Sequence, residues 1–515
     1  MTKPSPNLLK QTGLGAALLI GFSLPSSAQS ENSSIPGAPQ LQFQNRLVQG
    51  TLGKAYQGAL DNLLRVNTVT DTNKRHNKAG LMSPDARFIK AGGGYDEPWT
   101  RDASINSWNA ASLLEPTVAR NTLWAVCQKQ ADGSVVLQRD DQWWDKVIWI
   151  TAAWNHFKVT GDREFLKTAY GVTQDELALM RKEHFSTTQG LFQGPSFFND
   201  GIAGYPEPEF DPTNNSSFVL SHHYTKDLMA LSTNCIYYNA YRCAALMAGQ
   251  LGRPAAEAKE FNKAADDLRA AINKNLWNAE KGTYSYYIHG AGPKAGQRED
   301  SQEGTGISFA ILFGVADAKQ TASILKNAHP SPRGITDVWP HFARYSDAQP
   351  GRHNHIVWPL INGMWATAAA QGGNMEIFRD EVENLALLVQ EGEGHFYEIY
   401  NGITGKPDGG WQSGRQWGPL NDQTWSATAY LRMMYQGLFG FDFQPEGIKF
   451  APKLPAGWGN ATLSGVKYRN SDLDISLQGE GSKLARVEID GKVSNQAFIP
   501  ANLTGKHSVV LTLKK

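Results

Sequence analysis

Two acidic residues lie beside aromatic rings in glycine-rich segments of the sequence. Asp200 follows Phe198 in one segment, and Glu398 follows Tyr397 in another. Aromatic neighbours exclude water from a carboxyl group and favour its protonated form, which a proton donor needs. Paired carboxyl groups suit glycoside hydrolysis, in which an acid protonates the leaving oxygen and a base activates water. We predict Asp200 as the general acid and Glu398 as the general base, with Glu303 as the alternative acid.

A further glycine-rich segment, 92–109, brings Trp99, Arg101 and Asp102 together. An aromatic ring and two charged groups suit the binding of one sugar, whose ring stacks and whose hydroxyl groups form hydrogen bonds. The alternative is that Asp102 only caps the start of a helix. The predicted substrate-binding residues are Tyr95, Trp99, Arg101, Asp102, His355, Trp358, Trp411 and Trp417.

Other kinds of site have weaker support in the sequence. The histidine pairs 222–223 and 353/355 have neither an H-E-x-x-H frame nor nearby cysteines, so we expect no metal site and no cofactor. A polysaccharide lyase would need a basic site for a substrate carboxylate, whereas the loops here are mixed in charge. A non-catalytic sugar-binding protein and a phosphorylase are further alternatives.

The charge balance argues against one class of partner. The 515-residue chain holds 49 basic and 49 acidic residues, so it offers no basic field for nucleic acid. Its 15 tryptophans suit a sugar-binding surface, although a tryptophan-rich core gives the same composition. We therefore expect an oligosaccharide or glycoside as the partner, and the oligomeric state stays open.

The N-terminus has the pattern of a secretory signal. Two lysines and no acidic residue accompany an apolar run, 13–24, that is too short to cross a bilayer. Small residues allow cleavage after Ala28. We predict a signal peptide over 1–28, a linker over 29–49, and a mature protein in the periplasm or outside the cell, with no membrane contact.

Apolar residues recur at helical spacing through the middle of the chain. The clearest case is 255–276, which has apolar residues on one face and charged residues on the other. Twelve such helices fit six hairpins closed in a ring, an all-α (α/α)6 toroid over 50–440; an irregular all-α domain is the alternative. The predicted helices are 51–66, 103–114, 116–128, 141–159, 163–183, 226–250, 255–276, 304–313, 317–328, 355–371, 375–389 and 422–438.

Short alternating runs replace this pattern near the C-terminus. Prolines and glycines separate the runs, which predicts a small β-sandwich over 445–515. The predicted strands are Ala461–Tyr468, Asp472–Gln478, Ala485–Ile489 and Ser508–Leu513.

Several motifs resemble those of the six-hairpin glycosidases. The run 99–102, WTRD, resembles the W-T-R-D motif of glucoamylases. The run 398–405, EIYNGITG, and the later 425–427, WSA, are similar to the E-x-Y-N-x-x-T-G and W-S-A segments of glycoside hydrolase family 63 and the glycogen-debranching enzymes. The run 355–362, HIVWPLIN, resembles their G-x-x-W-P-x-x-N segment.

The order of these motifs through residues 50–440 is specific for the superfamily rather than for one substrate. The resemblance implies an (α/α)6 toroid, inversion of configuration and, usually, an α-glucosidic substrate. It implies that Arg101 and Asp102 hold the non-reducing sugar, that Glu398 is the base and, from motif order, that Asp200 is the acid. We therefore expect an α-glucosidase-like hydrolase that acts on an α-glucoside or short α-glucan.

Overall fold

Helices of two kinds alternate along the chain. Pro359–Gln371 is buried on nearly all sides, whereas Ala255–Leu276 buries only one face, which includes Leu268 and Ile272. A helix that is apolar all round belongs in a core, and an amphipathic helix belongs between the core and solvent. The computed structural model describes residues 35–72, 74–82, 86–207 and 213–515, so the signal peptide predicted over 1–28 lies outside the described residues.

The largely buried helices pack in a closed cycle, in which each contacts the next and the last contacts the first. Along the chain they are 100–114, Ile148–Thr160, Leu231–Gln250, Gly304–Leu312, Pro359–Gln371 and 424–438. Each is followed or preceded by an amphipathic helix.

The amphipathic helices cover this cycle through their buried faces. Most do so by direct helix–helix packing, and Ala318–Asn327 does so through Ile324 and Leu325, which join the main apolar core. These helices are 46–66, Pro116–Ala125, Arg163–His184, Ala255–Leu276, Ala318–Asn327 and Met375–Glu391. Wider π-helical turns interrupt the longer helices at Gln49–Gly53, Asn62–Val66, Ser107–Ala111 and Met433–Leu438.

Every predicted helix overlaps an observed one, and the differences lie at the ends. The helix predicted from 355 begins at Pro359, because proline is favoured in the first turn and disfavours helical backbone before it. The helix predicted over 116–128 ends at Ala125, because Cys127–Lys129 pairs as a strand instead.

The C-terminal part of the chain forms two sheets. Side chains alternate between buried and partly exposed along Ser471–Gly479, as the two-residue period of a strand requires. The larger sheet has the spatial order Gln40–Phe43, Ala461–Tyr468, Ser471–Gly479, Gly505–Lys514, Lys483–Ile489 and Lys492–Val493. The smaller sheet contains Phe441–Gln444, Gly447–Phe450 and Phe498–Pro500. The four predicted strands are confirmed, with ends shifted by a few residues.

The segment predicted as a linker over 29–49 is part of the folded unit wherever it is described. Gln40–Phe43 pairs antiparallel with Ala461–Tyr468, with Phe43 opposite Ala461. Leu41 and Phe43 are buried while the intervening glutamine is exposed, so the segment has the alternation of an edge strand. The strand-rich part begins at Phe441 rather than 445, and residues 35–515 form one compact unit.

Short strands brace the loops between the helices. They are Thr68–Thr70, Arg87–Ile89, Cys127–Lys129, Val135–Leu137, Phe185–Ser186, Leu191–Phe192, Met229–Ala230, Trp277–Asn278, Thr283–Tyr284, Tyr287–Ile288, Arg298–Glu299, Gln302–Glu303, Val338–Trp339, Trp411–Gln412 and Arg415–Gln416. Among the described residues, no helix combines the length and the apolar character that crossing a bilayer requires.

Candidate active site

A cavity of about 140 Å³ opens at one end of the helix cycle. Trp99, Gln142, Trp358 and Gln423 line it, and each immediately precedes a helix. The cavity therefore lies at an end where helix N-termini converge. Their partial positive charge favours carboxylates and hydrogen-bond acceptors there.

Most of the predicted site residues meet in this cavity. Those that line it are Tyr95, Trp99, Arg101, Asp102, Asp200, Trp358 and Glu398. The loops that carry them come from widely separated parts of the sequence, so the ring of helices is what brings them together. Glu303, the alternative acid, is fully buried and does not line the cavity.

Three predicted substrate-binding residues do not line the cavity. Trp411 lies in a short strand and bonds the backbone of Arg352 through its carbonyl oxygen. Trp417 packs its ring 5.1 Å from the Arg352 guanidinium, one layer behind the cavity. His355 points to His341, with its Nδ1 3.1 Å from the Nε2 of that residue.

Glu398 is buried and paired with a guanidinium. Its Oε2 accepts a hydrogen bond from Nη2 of Arg352 at 2.7 Å, and only 4% of the residue is exposed. Burial raises the pKa of Glu398, while the charge of Arg352 acts in the opposite direction. A buried carboxylate stays ionised only with such a partner, and an ionised carboxylate is what a base requires.

Arg352 is itself held from several sides. Its Nη1 donates to the carbonyl oxygen of Gly409 at 2.8 Å. The guanidinium lies 5.2 Å from the ring of Trp358 and 5.1 Å from that of Trp417. These contacts with two aromatic rings and a carbonyl oxygen restrict the position of the Arg352 guanidinium. The carboxylate of Glu398, which is paired with it, is therefore held in place as well.

Asp200 faces the cavity with a third of its side chain exposed, 33%. Its Oδ2 lies 3.5 Å from Nη2 of Arg101, and its Oδ1 lies 3.5 Å from Nε2 of His353. Phe198, two residues earlier, has a φ of 57°, a left-handed conformation that is costly for an aromatic residue. Trp99 has a φ of 37°. Both strained residues line the cavity, which is typical of functional sites.

The protonation of His353 follows from its neighbours. Nδ2 of Asn199 donates to the hydroxyl of Tyr286 at 3.0 Å and to Oδ1 of Asp337 at 3.3 Å, so Oδ1 of Asn199 is an acceptor. Nδ1 of His353 lies 3.0 Å from that oxygen and must donate to it. Burial lowers the pKa of His353 well below its usual value, so the ring is neutral. Its Nε2 therefore presents a lone pair to Asp200.

Asp200 lies between an acceptor and a donor, because Nε2 of His353 and Nη2 of Arg101 each lie 3.5 Å from one of its carboxyl oxygens. His353 is fixed in this role by stacking on Trp358, with ring centroids 4.8 Å apart. The arrangement holds the Asp200 carboxyl group in the cavity with one oxygen toward each of these two neighbours.

Arg101 connects the acidic groups on the other side of the cavity. Its Nη1 donates to Oδ2 of Asp145 at 2.7 Å, and its Nε lies 3.9 Å from Asp102. Burial raises the pKa of Asp102 to about 7 and that of Asp145 to about 6, against the opposing charge of Arg101. Burial also raises the pKa of Tyr95 to about 12, so this hydroxyl keeps its proton. Arg101, Asp102 and Tyr95 together offer hydrogen-bond donors and acceptors to the hydroxyl groups of a sugar.

Several cavity residues were missed from the sequence. Arg352 and His353 stand next to the predicted His355, and Trp425 belongs to the WSA run, so a signal was present for these three. Two glutamines gave no signal beyond their position before a helix. The missed residues are Gln142, Phe198, Arg352, His353, Gln423 and Trp425.

A helical cycle with three carboxyl groups in a cavity at one end is typical of one class of protein, the six-hairpin glycosidases. Residues 95–426 match the family described as the mannosylglycerate hydrolase MGH1-like glycoside hydrolase domain. The chain belongs to this family, within a superfamily that includes enzymes of family 63. The matched range contains the entire cavity described above.

Solved structures share the fold at low sequence identity. A sialidase superposes with a TM-score of 0.65 at 14% identity over 90% of this chain and 41% of its own. A family 78 rhamnosidase of a Bacillus species has a TM-score of 0.56 at 17% identity, over 93% of this chain and 44% of its own. The family 63 mannosylglycerate hydrolase of Thermus thermophilus has a TM-score of 0.54 at 15% identity, over 74% of this chain and 99% of its own.

A curated relative adds a different reaction. The solabiose phosphorylase of Paenibacillus borealis is 24% identical over 427 residues, which cover 76% of this chain and 53% of the relative. The chain thus spans about half the length of this relative. The superfamily resemblance predicted from the sequence is confirmed by these comparisons, which include both hydrolytic and phosphorolytic enzymes.

Proposed function

We propose that this protein is an inverting glycoside hydrolase, built as an (α/α)6 toroid, that removes a terminal α-linked sugar from a glycoside or short oligosaccharide. The observation that carries the proposal is the convergence of Asp200 and Glu398 in one cavity, with Trp99, Arg101 and Asp102 at its wall. The family to which the chain belongs supports glycosidase chemistry.

The reaction divides between the two carboxyl groups. Asp200, protonated and facing Nε2 of His353, donates its proton to the glycosidic oxygen as the bond to the anomeric carbon breaks. Glu398, ionised beside Arg352, takes a proton from a water molecule that attacks the same carbon from the opposite face. The water oxygen replaces the leaving oxygen, so the configuration inverts, and the chemistry needs no cofactor.

The remaining wall residues hold the terminal sugar. Trp99 is 45% exposed despite its size, which leaves its ring free to stack on a sugar face. Arg101 and Asp102 bind hydroxyl groups, and Tyr95 supplies a hydroxyl donor. Two arginines and three carboxyl groups line the cavity, so it lacks the basic field that a lyase site for uronic acids would need.

An α-glucoside or short α-glucan is the proposed substrate class. The motif resemblance to α-glucan enzymes supports it, and the structurally similar Thermus enzyme was solved in complex with glucose. That enzyme is named a mannosylglycerate hydrolase, so an α-mannoside is the natural comparison in the same assay.

Proton NMR of the reaction tests substrate class and stereochemistry together. The protein is incubated with α-linked glucosides, mannosides, galactosides and rhamnosides, and the anomeric signals are followed from the first turnover. We expect one sugar to appear first as the β-anomer. Appearance of the α-anomer first contradicts inversion, an unsaturated product indicates a lyase, and binding without product indicates a sugar-binding protein.

Phosphorolysis is the second candidate, because the curated relative from Paenibacillus borealis is a phosphorylase. In that reaction phosphate would attack in place of water. Glu398 argues against it, since a buried carboxylate at the point of attack repels a phosphate anion. Repeating the assay with and without phosphate decides between them, because only a phosphorylase forms a sugar phosphate.

Export is proposed from the N-terminal pattern alone. The mature protein would begin after Ala28 and act in the periplasm or outside the cell. Expression of the full chain, fractionation and N-terminal sequencing of the product test this. A cytoplasmic product that retains its first residues would contradict it.

A further inference from the structure

Two histidines and an aspartate converge outside the cavity. Nε2 of His341 lies 2.8 Å from Oδ1 of Asp347 and 3.1 Å from Nδ1 of His355. Nδ1 of His355 and Oδ1 of Asp347 are 3.8 Å apart. Among the described residues, this is a group in which three side chains each offer one ligand atom within a small volume.

One proton cannot account for this arrangement. If Nε2 of His341 donates its proton to the carboxylate of Asp347, the same N–H must also serve Nδ1 of His355, which lies 3.1 Å away. A hydrogen bond needs near-linear geometry, so the single proton serves one acceptor well and the other poorly. Three potential ligand atoms within 4.8 Å of one another are instead an arrangement that a cation can complete.

We propose that His341, Asp347 and His355 bind a divalent transition-metal ion such as Zn²⁺. Zinc bonds of about 2.0–2.2 Å to nitrogen and oxygen place neighbouring ligand atoms roughly 3–3.5 Å apart. The observed separations of 2.8, 3.1 and 3.8 Å lie within a few tenths of an ångström of that range. Imidazole and carboxylate ligands suit zinc and its neighbours rather than calcium. The side chain of Asp347 is 62% exposed, so water completes the coordination from the solvent side.

The site would fasten the loop that enters the active site. His341 and His355 bracket a segment that carries Arg352 and His353, whose side chains line the cavity. A metal bridging the two ends of this loop limits its opening, so the ion stabilises the folded chain by preferential binding. The sequence predicted no metal site at the 353/355 histidine pair, and of these two His353 lines the cavity.

Metal content measured directly tests the proposal. Full-length protein without a histidine tag is stripped with a chelator, equilibrated with Zn²⁺, passed through a desalting column and analysed for zinc by mass spectrometry. We expect about one Zn²⁺ per chain and a higher melting temperature with zinc. Asp347→Ala and His341→Ala are expected to retain less than about a tenth of that zinc.

His507→Ala is the matched control, because Nδ1 of His507 pairs with Asp490 at 2.7 Å as a histidine–carboxylate pair in the C-terminal sheet. Its zinc content should equal that of the wild type. The proposal is overturned if the wild type retains no zinc, or if the Asp347 and His341 variants retain as much as the wild type while circular dichroism shows all chains folded. These readouts do not involve turnover, so they are independent of the proposed hydrolase activity.

Discussion

Arg352 and Glu398 form a buried ion pair, with Nη2 of the arginine 2.7 Å from Oε2 of the glutamate. Burial raises the pKa of this carboxyl group, and the adjacent guanidinium opposes that shift by favouring the ionised form. The pair therefore sets the pH range in which Glu398 can act as a base. A motif in the sequence indicated Glu398, but the pairing of Glu398 with Arg352 was not predicted.

Glu398→Gln should abolish most turnover while the fold and sugar binding persist. The amide keeps the shape of the side chain but cannot take a proton from water, and loss of a general base costs about 10²–10⁴-fold in rate. Steady-state kinetics and calorimetric binding of the product sugar measure the two effects. Glu391→Gln is the control, since that exposed residue pairs with Arg333 at 3.1 Å. Near wild-type turnover by the Glu398 variant would refute the base assignment.

Arg352→Gln should move the acid limb of the pH–rate profile to higher pH. Without the guanidinium, burial loses its main opposing influence on Glu398, so the pKa rises further and ionisation needs a higher pH. The profile of kcat/KM against pH measures the shift. Arg415→Gln is the control, because Arg415 also packs on the Trp417 ring, 4.7 Å away, and is exposed. An unchanged or acid-shifted limb in the Arg352 variant would contradict this account.

Asp200→Asn should lose activity in proportion to how much the leaving group needs a proton. A natural glycoside leaves as a basic alkoxide, so turnover should fall by about 10²–10⁴-fold. A glycosyl fluoride needs little protonation and should be hydrolysed at a rate much closer to that of the wild type. Comparing the two substrates in both proteins measures the effect, and equal losses on both would show that Asp200 is not the acid.

The helices were predictable because their signal is local. The apolar face of the helix Ala255–Leu276 can be recognised from this one segment of sequence, and the predicted bounds of the helix agree with the observed ones. The strand Gln40–Phe43 was not predictable in the same way, since its partner Ala461–Tyr468 is distant in sequence. A four-residue alternation between prolines and polar residues carries little information until its partner is known.

The site residues that belong to a short motif at a helix start were predictable from the sequence. Those that lie in an irregular loop were not. Trp99, Arg101 and Asp102 are consecutive or nearly so at a helix start, so their convergence follows from one turn of chain. In the irregular loop before Pro359, no periodicity tells which side chains enter the cavity. His353 does so and His355, two residues later, points away.

Gly201→Ala should impair turnover far more than a glycine-to-alanine change usually does. A methyl group at 201 would lie 2.7 Å from Nε2 of His353 and closer still to Gln412, so either the loop that carries Asp200 or the His353 and Gln412 side chains against it must shift. A small displacement of a catalytic group can cost about 10²-fold in rate. Gly171→Ala, in an open helical position with nothing within 4 Å, should instead keep activity and gain up to about 1 kcal/mol of stability. Equal activity of the two variants would contradict the role of this contact.

Glu303→Gln should flatten the pH dependence of stability. Burial raises the pKa of Glu303 from 4.5 to about 8, so the folded chain binds this proton more tightly than the unfolded chain. Its contribution to the free energy of unfolding is complete below pH 4.5 and is lost as the pH rises toward 8, by at most about 5 kcal/mol. The isosteric amide can still accept the hydrogen bond from the Ser232 backbone and does not titrate.

Urea unfolding at pH 5 and pH 8 should therefore show the Glu303→Gln variant gaining stability relative to the wild type at the higher pH. Glu280→Gln, at an exposed position, should show no such difference, and a constant difference for Glu303→Gln across this range would disprove the linkage.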